Sequence, residues 1–219
     1  MSRMTLGALL LLAAFPILMA PATDPTPDRM SQPGTTAHGR EIYSTAGCAD
    51  CHAATLAQEA KEDRIRSGHP LEGAAYRGTW WNGRIATDAG EASDFCLKTF
   101  IDPNNEGFTA VERKALVLFM QDLGSERGVS PLALLRRDAG DVDLGAGDAA
   151  RGRELYRRAC VSCHAAGTER DLIKELSPAQ IADLIRKGSG RMPFFQVDRL
   201  TAPQVADLAV YLESLRKAR

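Results

Sequence analysis

The sequence predicts an all-α protein built as two small helical bundles in tandem, and three observations carry that expectation. No segment alternates apolar and polar residues with the period of two that a half-buried strand requires. Two stretches, ALVLFMQDL and DLAVYLESL, repeat apolar residues at helical spacing, and each follows a capping box, Thr109-x-x-Glu112 or Thr201-x-x-Gln204. The halves also begin and end alike. Gly39-Arg40-Glu41-Ile42-Tyr43 precedes Cys48-Ala49-Asp50-Cys51-His52, and Gly152-Arg153-Glu154-Leu155-Tyr156 precedes Cys160-Val161-Ser162-Cys163-His164. Phe108-Thr109-Ala110 and Leu200-Thr201-Ala202 then open the closing helices at a constant offset of 92 residues.

In chain order, residues 1–22 carry Arg3, an apolar run from Leu6 to Met19 and Ala20-Pro21-Ala22, the three regions of a secretory signal peptide. The alternative is an uncleaved membrane anchor, although the run is shorter than the ~20 residues that span a bilayer. Either way the globular part is expected to be exported, and a periplasmic location follows. Residues 23–37, rich in Pro and Thr without periodicity, read as a flexible leader. The first bundle is expected over 38–124. Residues 125–147, with several glycines, Ser130-Pro131 and a short apolar LALL, read as a linker packed against one domain. The second bundle covers 148–219, with a short helix capped by Ser177-x-x-Gln180 and a closing helix whose Val205, Leu208, Ala209, Leu212 and Leu215 share a face.

Composition narrows the class. Of 219 residues 44% are hydrophobic and 25% charged, as in ordinary globular chains, so wholesale disorder and a polytopic membrane protein are excluded. A net charge of -1 gives no electrostatic case for nucleic acid as a partner. The charge is uneven along the chain: residues 38–124 hold 9 Lys/Arg against 13 Asp/Glu, and residues 148–219 hold 13 against 9. Either the two halves attract each other, or they face partners of opposite sign, or this is ordinary surface variation.

The repeated Cys-x-x-Cys-His carries the chemistry. One helical turn puts residues i and i+3 on the same side, so two thiols at that spacing reach the two vinyl groups along one haem edge, and the next residue, His, lies under the iron. The motif is a c-type haem attachment signal. A thioredoxin-like pair would want a βαβ setting and zinc would want two further ligands nearby, and neither is visible. Two covalently attached c-type haems are therefore expected, on Cys48, Cys51 and His52 and on Cys160, Cys163 and His164. They also supply the apolar centre that domains of ~70–90 residues lack.

With these motifs the sequence resembles class I cytochromes c fused as a tandem pair, over nearly all of residues 38–219. The resemblance implies two cytochrome c-like domains of three to five helices each, with terminal helices crossing near Gly39 and Phe119 and near Gly152 and Tyr211. In the stretch GSGRMPFF, Met192-Pro193 resembles the Met-Pro loop of that class, which implies Met192 as the second iron's distal ligand. Such a His/Met pair raises the potential and closes the iron to substrates. His69-Pro70-Leu71-Glu72-Gly73 resembles the Pro-Asn-Leu-x-Gly turn, whose proline carbonyl accepts the proximal imidazole proton; by that resemblance Pro70 orients His52.

The first half has no Met-Pro at the matching place, where Phe100 stands. Its candidate distal ligands are Cys96, His69, Met120, His38 and Met30. Cys96 is the unpaired fifth cysteine, and three readings stay open: an iron ligand, a buried core thiol, or a disulfide to a second molecule. The segment HPLEGAAYRGTWWNGRIATDAGEASDFC resembles the first domain of dihaem thiosulfate dehydrogenases and related sulfur-oxidising cytochromes, which implies Cys96 on the iron. The residues around Cys96 depart from that family's pattern. Two functions follow. One is a dihaem carrier passing single electrons between redox proteins, either other cytochromes or membrane oxidoreductases. The alternative is an oxidoreductase acting on a small sulfur anion, with Cys96 as catalytic ligand and Arg77, Arg84 and Lys98 as anion-binding candidates.

Overall fold

Threonine and aspartate caps set most of the helix starts. The structure, a computed structural model, describes residues 31–77, 80, 88–124, 139–164, 173 and 175–217. The expected signal peptide, most of the leader and residues 125–138 of the linker lie outside them. Helix α1, Thr36–Thr45, begins where the Thr35 side chain accepts from the His38 N–H at 3.2 Å. Helix α2, Cys48–Cys51, is one turn entered through Gly47 at φ 84°, a left-handed conformation that favours glycine. Helix α3, Leu56–Glu59, is capped by Thr55. Helix α4, Ala89–Cys96, is capped by Asp88 and runs into a single π-helical turn, Leu97–Ile101. Helix α5, Ala110–Asp122, starts on the full reciprocal capping box of Thr109 and Glu112.

The second half repeats the plan. Helix α6, Ala149–Ala159, is capped by Asp148, and α7, Pro178–Lys187, by the full box of Ser177 and Gln180. In α8, Ala202–Lys217, the bond present is Thr201 N–H to Gln204 Oε1 at 2.8 Å. Among the described residues there is no strand, Ser189 and Met192 form an isolated bridge, and the fold is all-α. No described helix is long and apolar enough to cross a membrane.

Glycine sets the two helix crossings. A Cβ on Gly39 would lie 2.0 Å from the Ala115 carbonyl oxygen and 2.8 Å from Phe119 Cβ; one on Gly152 would lie 2.0 Å from the Asp207 carbonyl oxygen and 2.6 Å from Tyr211 Cβ. The expected crossings are thus both present, at matching positions, and α1 packs on α5 as α6 packs on α8. The ring pairs Tyr43–Phe119 (5.3 Å) and Tyr156–Tyr211 (5.7 Å) sit beside them. Each half has its own apolar core, one around Ile42, Leu116 and Phe119 and one around Leu155, Ile181 and Leu208. The described end of the linker belongs with the second: Val142 and Leu144 pack against it.

Residues Ser31–Arg219 nevertheless pack as one compact unit. Ile65 of the first half packs against the second core, and its N–H donates to the Arg158 carbonyl at 2.9 Å. Around it, Asp63 pairs with Arg157 and with Arg158 (3.0 Å), and Glu59 pairs with Arg199. These pairs all set an acid of the first half against an arginine of the second, the direction in which the charge of the chain is divided.

Candidate haem sites

The first attachment motif is held at every residue. His52 N–H donates to the Cys48 carbonyl at 3.0 Å, closing the turn that brings Cys48 and Cys51 to one side. The Tyr43 hydroxyl donates to the His52 carbonyl at 2.7 Å. His52 Nδ1 lies 2.7 Å from the His69 carbonyl oxygen; donating there leaves Nε2 with its lone pair for a metal. Burial holds the ring's pKa below the ordinary histidine value, which keeps it neutral as a ligand must be. The expected acceptor, Pro70, is corrected to His69. In the Pro-Asn-Leu-x-Gly pattern the acceptor stands four residues before the glycine, and four before Gly73 is position 69. Gly68 makes this approach possible, since a Cβ there would lie 2.2 Å from His52 Cε1.

Cys48, Cys51 and His52 line one open-sided cavity together with Cys96 and Trp80. Leu97, Phe100, Ile101, Phe108 and Leu116 make most of its wall apolar. The π turn after Cys96 places Cys96, Leu97, Phe100 and Ile101 on this wall, and such turns recur at functional sites. Burial, reinforced by Cys48 and Cys51, pushes the Cys96 thiol up to about 12; as a free group it is neutral, and a bound metal would deprotonate it.

Of the other distal candidates, Met120 lines the same cavity from α5. His38 Nδ1 accepts from the Gly34 N–H at 3.1 Å, and the His69 ring lies 3.3 Å from Asp198. Met30 and Arg84 fall outside the described residues. Lys98 is exposed and does not line the cavity, whereas Arg77 does, stacked 5.6 Å over Trp80. Its Nε is buried with no hydrogen-bond partner among the described residues.

These observations test the fit of a c-type haem. Two thiols and an imidazole nitrogen meet on the wall of one mostly apolar cavity, and the half-buried Arg77 on that wall has an Nε with no hydrogen-bond partner among the described residues, where a propionate would serve. The residues fit the group.

The second motif has the same turn: Cys163 N–H and His164 N–H donate to the Cys160 carbonyl at 3.1 and 2.9 Å, and the Tyr156 hydroxyl to the His164 carbonyl at 3.3 Å. Burial pushes the Cys160 thiol up to about 12, while Cys163 is exposed. Met192 stands in a tight turn, exchanging backbone bonds of 2.9 and 3.0 Å with Ser189 across Gly190 at φ 52°. A Cβ on Gly188 would lie 2.6 Å from the Met192 carbonyl oxygen. The buried Arg186 anchors the far side of the loop through Nη1, which donates to the Leu200 carbonyl at 2.6 Å and reaches that of Phe195 at 3.3 Å. Pro193, Phe194 and Gln196 of this loop complete the wall of the first cavity.

Sequence reasoning missed the roles of Tyr43 and Tyr156, which the duplication of Gly-x-x-x-Tyr already marked, and of Gly68 and Arg199, for which no signal existed. Two similarities to known proteins bear on these sites. Residues 147–212 match the family described as "Cytochrome C oxidase, cbb3-type, subunit III". The chain is also 25% identical over 206 residues to a protein of Corynebacterium diphtheriae named cytochrome bc1 complex cytochrome c subunit, covering 82% of this chain and 66% of that relative. The stretch that matches the family model contains the second Cys-x-x-Cys-His and Met192, so residues 147–212 are similar to the cytochrome c domain of subunit III of cbb3-type oxidases.

Proposed function

We propose that the chain is a dihaem c-type cytochrome that passes single electrons between redox proteins in the periplasm, with two cytochrome c-like domains at 38–124 and 148–219. The observation that carries the reading is that both Cys-x-x-Cys-His turns are held alike, each by a tyrosine hydroxyl on the histidine carbonyl. When bound, the haem supplies a one-electron couple whose potential is tuned by axial ligands and by burial. Cys48 and Cys51, and Cys160 and Cys163, hold the ring edges through thioethers; His52 and His164 donate a nitrogen from the proximal side. Met192 serves the second iron. Cys96 would serve the first, from a mostly apolar wall, and as a thiolate its negative charge would favour the ferric state. Arg77 takes the anionic edge. The name of the bacterial relative supports a membrane oxidoreductase as one redox partner. A sulfur anion as substrate rests on the same Cys96 with Arg77, and steady reduction of the ferric protein by thiosulfate, faster than by ascorbate, would favour it.

The deciding measurement is the mass of the mature protein before and after acidic acetone. Two haems that survive extraction are expected, and Cys163→Ser with His164→Ala should remove one of them. A single haem in the wild-type chain would overturn the reading.

A further inference from the structure

Residues 59–69 run along the first attachment motif and bond to it at successive positions. Arg66 donates to the Ala49 carbonyl, Arg64 to the Asp50 carbonyl at 2.7 Å, Gly68 N–H to the Cys51 carbonyl at 2.9 Å, and the His69 carbonyl accepts from His52 at 2.7 Å. The other edge of this strap is gripped by the second half. Arg199 Nε donates to the Arg66 carbonyl at 3.0 Å, and its two terminal nitrogens bracket the Glu59 carboxylate, Nη1 at 3.3 Å from Oε2. Asp198 lies 3.3 Å from the His69 ring. The Arg199 and Glu59 side chains are only 12% and 21% exposed, so this fork is shielded from solvent in a way that surface pairs are not. Arg199 stands seven residues after Met192, on the same loop whose Pro193, Phe194 and Gln196 wall the first cavity.

We infer that Arg199 is a positioning residue that couples the two haem sites: through Arg66 and the strap it sets how His52 is presented to the first cavity, and through residues 192–199 it ties that geometry to Met192. This rests on the two-haem reading above. A displacement of the loop at either end moves the strap, and the strap carries the His69 carbonyl that receives the His52 ring. Linkage makes the effect reciprocal, so a change at Met192 alters the first site by the factor with which a change at the first site alters Met192.

The test is a redox titration of the full-length two-haem protein, resolved by the low-spin electron paramagnetic resonance signals. It compares wild type with Arg199→Ala, Glu59→Gln and Arg199→Lys, and each of these combined with Met192→Ala in a double-mutant cycle. Arg199→Ala and Glu59→Gln are expected to keep both haems attached, change the first low-spin signal, and shift the electron equilibrium between the haems by about tenfold, which is ~59 mV. Arg199→Lys should fall between. Met192→Ala should move the potential of the first haem in the wild-type background and leave it unmoved in the Arg199→Ala background.

A lowered melting temperature with both potentials and the first signal unchanged would make Arg199 a packing residue and overturn the inference. Should Arg199→Ala fail to fold, Glu59→Gln and Arg199→Lys decide by the same readouts. If Met192→Ala leaves the spectrum of the second haem unchanged, the ligation reading has failed and the coupling falls with it. If that spectrum changes while the first haem does not respond, the coupling alone is wrong.

Discussion

At the first site, His52 is aimed by a carbonyl on one side and crowded by a glycine on the other, so Gly68→Ala puts a methyl where the ring now lies. Overpacking of this kind costs ~1–3 kcal/mol. The expected result is a lower melting temperature together with an altered low-spin signal for the first haem only, read by resonance spectroscopy. Cys96→Ser tests the other wall: with Cys96 on the iron, the lower-potential wave should rise sharply while both haems stay attached. A packing thiol would leave both waves unmoved, and His69 and Met120, which also line that cavity, would then be the candidates left. In the second half, Met192→Ala should abolish the near-infrared sulfur-to-iron band and lower that potential, because a soft thioether favours ferrous iron. The two Cys-x-x-Cys-His turns, each closed by a backbone bond to its first cysteine, were legible because the motif is a local spacing. The acceptor at position 69 was not, because a backbone carbonyl has no residue-type signature.

Helices are the scale at which pattern and structure agree most closely. The two boxes at Thr109 and Ser177 form in full, since a cap needs only residues three apart. Glu112 in the first of them gives a pH test. The Thr109 N–H, followed by its hydroxyl, holds the Glu112 pKa below the ordinary value of 4.5. With the folded pKa depressed, the contribution to stability is present above about pH 4.5 and is lost as pH falls through the folded value. Glu112→Gln keeps an acceptor for the cap but does not titrate, so its stability should fall less steeply on acidification, as urea midpoints from pH 6 to 3 would register. The crossing glycines were legible through their duplication. Gly152→Ala should separate α6 from α8 at a cost of ~1–3 kcal/mol, lowering the midpoint of the second haem's spectral transition before that of the first.

Across the whole molecule, charge pairs and the apolar Ile65 are among the contacts that hold the halves together. The exposed pairs of Asp63 with Arg157 and Arg158 contribute little and weaken with salt. Ile65 does not depend on salt. It belongs to the first half in sequence and to the second in packing, so Ile65→Ala should lower the urea midpoint at which the Met192 near-infrared band is lost. It should cost less than the ~2–5 kcal/mol of a fully buried isoleucine. A shift confined to the first haem would show that the second core does not need it.

The sequence by itself determined what depends on local spacing: the all-α class, the caps, the duplicated crossing glycines, and the two Cys-x-x-Cys-His turns. It also held the division of charge that the Glu59, Asp63, Arg157, Arg158 and Arg199 pairs express. Tertiary structure alone decided that Ser31–Arg219 pack as one unit, that Cys96 and Met120 share a cavity with His52, and that Pro193 and Phe194 of the second half close it. Those contacts join residues about 45 to 140 positions apart. No periodicity reaches so far along a chain, and the side chains meet only because packing two small cores against a shared strap buries surface that neither covers alone.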